Sequence, residues 1–353
     1  MRLDEIPTPP LVLDLAALRQ NVAVMSQFAK ARSISLRPHA KSHKCVQIAR
    51  LLSDAGALGA CCATIAEAEA LAAGGLRGLL ITSPMATPDM LERLRKLLLR
   101  RADVMVVADN RANVVELASL AEALGRVLSV VVELDVGVGR TGCVEVADAV
   151  SLAKAIAAES SLSFAGVQAY WGNLQQVMPF AERGKLVAGQ AIKLRSLTSA
   201  LAESGISAKI VTGGGTGTHW HDAGLDLFTE LQSGSFVFLD SLYGPLTLTP
   251  EGNPFTPSLF VAASVISSNQ KGRLIVNAGL KGLATDSGKP VPLRGAEQGA
   301  AYRFLGDEHG AIDIEGPAPQ LGSIIELLTP HSDPTVNLYN SYTVVETDEV
   351  VDE

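Results

Sequence analysis

The chain has 353 residues, 47% of them hydrophobic, 19% charged, with a formal net charge of −8. That is enough apolar surface for one large domain plus a smaller one, and an acidic chain without a basic tract argues against nucleic acid or an anionic membrane as partner. No window carries the ~18 uninterrupted apolar residues of a membrane span, the opening MRLDEIPTPP is not a signal peptide, and the four cysteines lack metal-knuckle spacing, so a soluble cytoplasmic protein with free thiols is expected.

The first apolar run is LVLDL at 11–15, followed by a helical stretch to about Lys30. Runs that read as strands then begin near Ile34, Gly59, Gly78, Asp103, Leu128, Phe164, Lys209 and Leu227. Between them, stretches rich in Ala, Leu, Glu and Lys at 64–73, 88–100, 111–124 and 144–158 read as helices. Eight such alternations match a (β/α)8 barrel in order and length. A doubly wound open sheet would carry G-x-G-x-x-G after its first strand, and none is present. After about Tyr243, prolines and glycines become frequent. LFVAASVIS, GRLIVNAGL, SIIELLTP and SYTVVET there read as strands without intervening helices. The expected organisation is an α/β barrel over 10–245 and a mostly β domain over 246–353, joined by residues 1–9.

Barrel active sites lie at the C-terminal ends of the strands, and phosphate commonly binds at the loops after strands 7 and 8. The first barrel strand runs into Arg37-Pro38-His39-Ala40-Lys41-Ser42-His43-Lys44. Read alone, this octapeptide fits a solvated loop or a reactive lysine, whose amine is kept partly deprotonated by cations such as Arg37, His39, His43 and Lys44. Strand 7 ends in Thr212-Gly213-Gly214-Gly215-Thr216-Gly217-Thr218, where glycines let backbone N–H groups turn toward an anion. Strand 8 ends in a second small-residue turn, Gln232-Ser233-Gly234-Ser235. Strand 5 leads to Arg140 between glycines, and strand 6 to Tyr170 and Trp171, which fit either ring stacking or plain packing. In the C-terminal part, an extended His331-Ser332-Asp333 would put His331 and Asp333 on one face for a divalent ion; the same residues also fit a capped turn.

Taken together, R-P-H-A-K-S-H-K, D-V-G-V-G-R-T-G, Q-A-Y-W-G, T-G-G-G-T-G-T, E-L-Q-S-G-S-F and H-S-D-P-T-V-N-L-Y resemble the D-threonine aldolase and D-serine dehydratase-like family. Its members are fold-type III pyridoxal 5′-phosphate enzymes with an alanine-racemase-like N-terminal barrel, and the resemblance covers nearly the whole chain. It implies that Lys41 is the Schiff-base lysine, that Arg140 contacts the cofactor's phenolic oxygen and that Tyr170 flanks its ring. Thr216, Gly217, Gly234 and Ser235 would hold the phosphate, and Gln232 would lie beside the pyridine nitrogen.

Within the family, the metal motif separates H-x-C, suited to zinc in dehydratase-like members, from H-x-D, suited to Mn²⁺ or Mg²⁺ in aldolase-like ones. His331 and Asp333 therefore imply an aldolase that splits a D-3-hydroxyamino acid, of the D-threonine or 3-hydroxy-D-aspartate type, into glycine and an aldehyde. The alternatives are a dehydratase on D-serine or 3-hydroxyaspartate and a non-catalytic cofactor-binding protein. The fold's relatives imply a homodimer. One position departs from the family pattern. Many aldolases would show histidine after the Y-x-G-x-x-Q stretch, where Gln176 stands here, so either a metal-bound water is the base or the substrate preference differs, with His39, His43 and His219 as the other candidates for the base.

Overall fold

The computed structural model describes residues 2–100, 103–346 and 349–352. Its elements in chain order are β1 (Leu11–Asp14), α1 (Leu15–Ala31), β2 (Ser35–Leu36), α2 (Val46–Asp54), β3 (Cys61–Cys62), α3 (Ile65–Ala73), β4 (Leu79–Ile81) and α4 (Pro88–Leu99). Then come β5 (Val104–Ala108), α5 (Arg111–Ala123), β6 (Leu128–Leu134), α6 (Val146–Ala158), β7 (Leu162–Ala169), α7 (Phe180–Glu203), β8 (Ile210–Gly213), α8 (His219–Ala223) and β9 (Glu230–Leu231). The C-terminal part adds β10 (Leu259–Gln270), β11 (Arg273–Val276), β12 (Val291–Arg294), β13 (Ala301–Phe304), β14 (Gly310–Asp313), β15 (Ile324–Leu328), α9 (Ser332–Val336), β16 (Thr343–Glu346) and β17 (Glu349–Asp352). By contacts the chain forms two compact units, Met25–Gly234 with Thr247–Gly252, and Met1–Val24 with Ser235–Leu246 and Asn253–Glu353.

The first unit is the expected (β/α)8 barrel. Its eight strands are all parallel, in the order β2-β9-β8-β7-β6-β5-β4-β3, and a parallel bridge between His39 and Cys61 closes the ring. Strands such as VMVVA in β5 are almost wholly apolar because the barrel interior covers one face and a helix the other. Helix starts follow from local chemistry. The side chains of Thr64, Thr87 and Asn110 accept the N–H groups of Glu67, Met90 and Asn113, and Pro88 occupies the first turn of α4, where its missing N–H costs nothing. Segment 247–252 returns to this unit because the buried Arg183 of α7 donates to the carbonyl of Thr247.

Inside the barrel, Arg37 and Glu230 form a two-pronged ion pair between β2 and β9, at 2.8 and 2.9 Å, and Arg37 also donates to the Gly78 carbonyl. Arg37 therefore does not supply the cationic surroundings expected for Lys41. Its charge is spent on a strand-to-strand clamp.

The second unit is built on a nine-stranded sheet whose main path runs β13-β14-β11-β10-β1-β16-β17, with β15 pairing to β10 and β12. Val12 is paired antiparallel to Phe260 and parallel to Thr343. Leu3, Ile6, Val12, Phe260, Ala262, Leu328 and Val345 form its apolar cluster. LVLDL thus lies in this sheet, whereas the sequence reading put the barrel's start at residue 10. A run buried on both faces looks alike in either environment. The four strands read from sequence here are β10, β11, β15 and β16; β12, β13, β14 and β17 are added between and after them. Among the described residues, no helix is long and apolar enough to cross a membrane.

Candidate active site

Lys41 lies in a single 3-10 turn, Ala40–Ser42, just beyond the C-terminal end of β2. Its side chain is exposed, while Ala40, Ser42 and His43 are buried. The preceding His39 fixes this turn, for its Nδ1 accepts the Lys41 N–H at 3.4 Å and its Nε2 lies 3.2 Å from Thr82 Oγ1. The Thr82 hydroxyl donates to the Cys62 carbonyl, so a neutral ring with hydrogen on Nε2 satisfies both contacts. Burial first, then the charges of Lys41, Arg140 and His43, hold the His39 imidazolium well below its ordinary range. Burial likewise brings His43 down to about 4. Both histidines are neutral near pH 7, and the nearby cation that acts on this segment is Arg140.

Arg140 stands on the loop after β6. Asp135 shapes that loop, its carboxylate accepting the N–H groups of Gly137, Val138 and Gly139 at 2.9, 2.9 and 3.1 Å. Partial burial pulls the Asp135 carboxyl up, but those three donors outweigh it and leave it below its ordinary range. The Arg140 guanidinium lies over the Tyr170 ring, 5.7 Å from its centre, which brings the loops after β6 and β7 together.

Beneath them runs a buried amide chain. Gln168 Nε2 donates to Glu133 Oε1 and to the Thr82 carbonyl, each at 3.1 Å. Gln168 is thereby obliged to present its oxygen to Gln232, whose Nε2 donates to it and to Thr212 Oγ1, each at 3.0 Å. Both Gln232 hydrogens are committed, so what remains to this side chain for a further hydrogen bond is an acceptor oxygen. Glu133 is pushed up by burial, against the pull of Gln168 and Arg140.

The glycine-rich turn after β8 is held from behind. Gly217 N–H donates to Gln175 Oε1 at 2.9 Å, and Thr218 Oγ1 donates to Asp222 Oδ2 at 2.6 Å. A Cβ on Gly214 would collide with Asp222, and one on Gly215 or Gly217 with Gln175. Thr216 is buried in the same turn, and its carbonyl accepts from His219 Nδ1 at 2.8 Å. After β9, a Cβ on Gly234 would press on the His39 carbonyl at 2.8 Å, so glycine lets this second turn close against the Lys41 segment. Ser235 then opens a 3-10 turn whose Phe238 and Leu239 N–H groups return to the Ser235 carbonyl.

In the second unit, His331 and Asp333 do not share an extended face. Ser332–Val336 is a short helix, with His331 at its N-cap and Asp333 in its first turn. His331 Nδ1 lies 2.6 Å from Asp286 Oδ2, which turns Nε2 toward any ligand. The buried Asp240 accepts the Ser332 N–H at 2.8 Å and so sits under this turn. Burial and the Asp333 charge push its carboxyl up, against the pull of the Ser332 N–H and His331. Among the described residues, no group of three or more His, Cys, Asp and Glu is arranged to hold a metal.

Comparison with known proteins agrees with this architecture. The model of the alanine racemase N-terminal domain matches residues 13–241, and that of the putative serine dehydratase domain matches residues 258–345. A D-threonine aldolase from Arthrobacter sp is 37% identical over 97% of this chain and 90% of its own length. The chain belongs to the D-threonine aldolase and D-serine dehydratase-like family. A 3-hydroxy-D-aspartate aldolase of Paracoccus denitrificans is 34% identical over 96% of this chain and 88% of its own. The crystal structure of D-threonine aldolase from Filomicrobium marinum superposes with a TM-score of 0.93 at 36% identity, covering 98% of this chain and 93% of that one.

The barrel residues fit the pyridoxal phosphate of this fold-type III family. An amine and a guanidinium bear on the same neutral histidine, an aromatic ring lies under the guanidinium, and small-residue turns follow β8 and β9. His331 and Asp333 bring one nitrogen-bearing and one oxygen-bearing side chain to the same turn. Glu133, Gln168, Gln175, Asp222, Asp240 and Asp286 are the side chains to which the sequence reading gave no role. All of them act on other protein groups, and residue type and spacing carry little trace of that.

Proposed function

We propose that this chain is a pyridoxal phosphate- and divalent metal-dependent lyase that cleaves a D-3-hydroxyamino acid, of the D-threonine or 3-hydroxy-D-aspartate type, into glycine and an aldehyde. The observation that carries this reading is the close packing of the Gly234 turn after β9 against the His39–Lys41 segment at the C-terminal end of β2. The choice of aldolase over dehydratase rests on Asp333, whose oxygen suits Mn²⁺ or Mg²⁺ where a dehydratase-like pattern would have cysteine.

The cofactor supplies an electron sink for the pair released at the substrate's Cα, and the metal a Lewis acid that lowers the pKa of the β-hydroxyl. Lys41 would hold the cofactor covalently, and Arg140 would place a fixed positive charge beside it, oriented by its contact with Tyr170. Burial keeps His39 uncharged, so it does not compete with the cofactor for a proton near pH 7. Gln232 would present its amide oxygen to the ring, with Thr216, Gly217, Gly234 and Ser235 forming the phosphate turns. Because the Gly217 N–H already serves Gln175, the part of Gly217 there is to give backbone shape. Asp286 would keep His331 Nε2 aimed at the ion.

Incubating the purified protein with pyridoxal phosphate, Mn²⁺ and D-threonine tests the proposal. Glycine and acetaldehyde in equal amounts are expected. Production of 2-oxobutanoate and ammonia instead would overturn the aldolase reading.

A further inference from the structure

A turn that receives a phosphate is ordinarily shaped by its own backbone and by the ligand. Here residues 214–218 are also held by two buried side chains, Asp222 and Gln175. Asp222, fully buried on α8, accepts the Thr218 hydroxyl at 2.6 Å and the Gly215 N–H at 3.3 Å through one oxygen. Its second oxygen accepts Trp171 Nε1 at 2.8 Å, which ties the turn to the segment after β7. Gln175 adds a parallel brace. Its oxygen takes the Gly217 N–H at 2.9 Å, while its nitrogen donates to Thr218 Oγ1 at 2.9 Å and to the Trp171 carbonyl at 3.3 Å. The Thr218 hydroxyl is the hinge pin, receiving from Gln175 and donating to Asp222. Two of the glycines give way to these same side chains, since a methyl group on Gly214 would occupy the place of the Asp222 carboxylate and one on Gly215 that of the Gln175 amide, while Gly217 makes room for the Gln175 main chain.

We propose that Asp222, acting with Gln175 through Thr218, is a positioning residue that sets the conformation of the 214–218 turn and thereby its affinity for the cofactor's phosphate. This rests on the reading of the turn as a phosphate site. A carboxylate is an odd choice for such a place, because a negative charge close behind an anion turn repels the ligand. Its retention is explained if shape is what the turn needs. One carboxylate accepts from three donors in three directions; an amide of the same size must offer a hydrogen to at least one of them. The requirement is therefore for a side chain that accepts on both oxygens, which the carboxyl does in full as pH rises through about 7.

The test compares pyridoxal phosphate with pyridoxal, which has the same ring and aldehyde but no phosphate. Apparent Kd values for both are measured by absorbance titration of the full-length protein after removal of its cofactor, for the wild type and Asp222→Asn. The wild type is expected to favour pyridoxal phosphate strongly. In Asp222→Asn that preference should shrink about tenfold or more, the equivalent of losing one or two well-placed hydrogen bonds, while the Kd for pyridoxal stays within about threefold. Loss of affinity for both ligands in equal measure would indicate a general packing role and overturn the proposal, as would an unchanged preference. If the wild type itself shows no preference, the phosphate reading beneath the proposal fails instead. Thr218→Val, which removes only the shared hydroxyl, is read in the same way should Asp222→Asn not fold.

Discussion

The Arg37–Glu230 clamp offers a prediction whose size follows from the structure. The two side chains are 5% and 2% exposed and bonded at 2.8 and 2.9 Å. Burial lowers the pKa of the guanidinium, yet the hydrogen bonds and charge of Glu230 more than reverse this and leave it raised. Glu230→Gln keeps the shape but removes the countercharge, stranding a guanidinium in the barrel wall. Such a loss costs about 3–5 kcal/mol, whereas replacing both partners with apolar residues of similar volume is often neutral. For a chain of this size, the single change should lower Tm by roughly 4–7 °C. Arg37→Met with Glu230→Leu should recover most of that. Thermal melts followed by circular dichroism on Glu230→Gln, on Arg37→Met and Glu230→Leu separately, and on the double variant complete the cycle. A Glu230→Gln melt within about 2 °C of wild type, or a double variant as unstable as the singles combined, would refute the reasoning. Because Arg37 is spent on Glu230, the bound-cofactor absorbance per folded molecule should be the same in every variant.

Three further expectations follow. Lys41→Ala should fold normally by circular dichroism and show no bound-cofactor absorbance after reconstitution; a retained, borohydride-reducible cofactor would displace Lys41 from its role. Asp286→Asn should weaken Mn²⁺ binding about 10–100-fold, measured by electron paramagnetic resonance titration, with the cofactor absorbance intact; an unchanged Kd would mean that His331 needs no orienting partner. Asp222 predicts a pH effect on stability. Burial pushes its carboxyl up to about 7 in the fold, so the folded chain keeps a proton that the unfolded chain releases near pH 4. Its contribution is therefore fully present below about pH 4 and is lost as pH rises through 7, at a cost on the order of 4 kcal/mol by neutral pH. In urea titrations at pH 4.5 and 7.5, Asp222→Asn should lose less stability between the two than wild type does; parallel losses would sink the idea.

Much of the barrel was legible because its code is local. Apolar runs of strand length alternate with capped amphipathic stretches, and Thr64, Thr87 and Asn110 mark helix starts in the sequence as they do in space. The position of Lys41, Arg140, Tyr170 and the two small-residue turns just after barrel strands was legible because strand order alone places them there. What was not legible depends on partners far apart in the chain. Arg37 looks like any cation near a reactive lysine until Glu230 is found beside it. His39 and His43 look like charge carriers until burial makes them neutral. LVLDL is a sound strand whose sheet is decided by Phe260 and Thr343, hundreds of residues on. Asp333 follows a histidine in a pattern that suits a strand or a turn equally, and Pro334 inside the first turn of α9 accompanies the helical outcome.

The placement of β1 has a bearing on biosynthesis. Val12 leaves the ribosome well before its ladder partners in β10 and β16, so almost the whole barrel is translated before the strand can be covered. At about 5–20 residues per second, LVLDL waits for tens of seconds as an unpaired apolar edge. The barrel, whose neighbouring strands are sequential from β3 to β9, can condense meanwhile. During synthesis LVLDL is thus an unpaired strand open to strand-to-strand aggregation, and a chaperone that shields that segment until Thr343 emerges is expected to raise the yield of native enzyme.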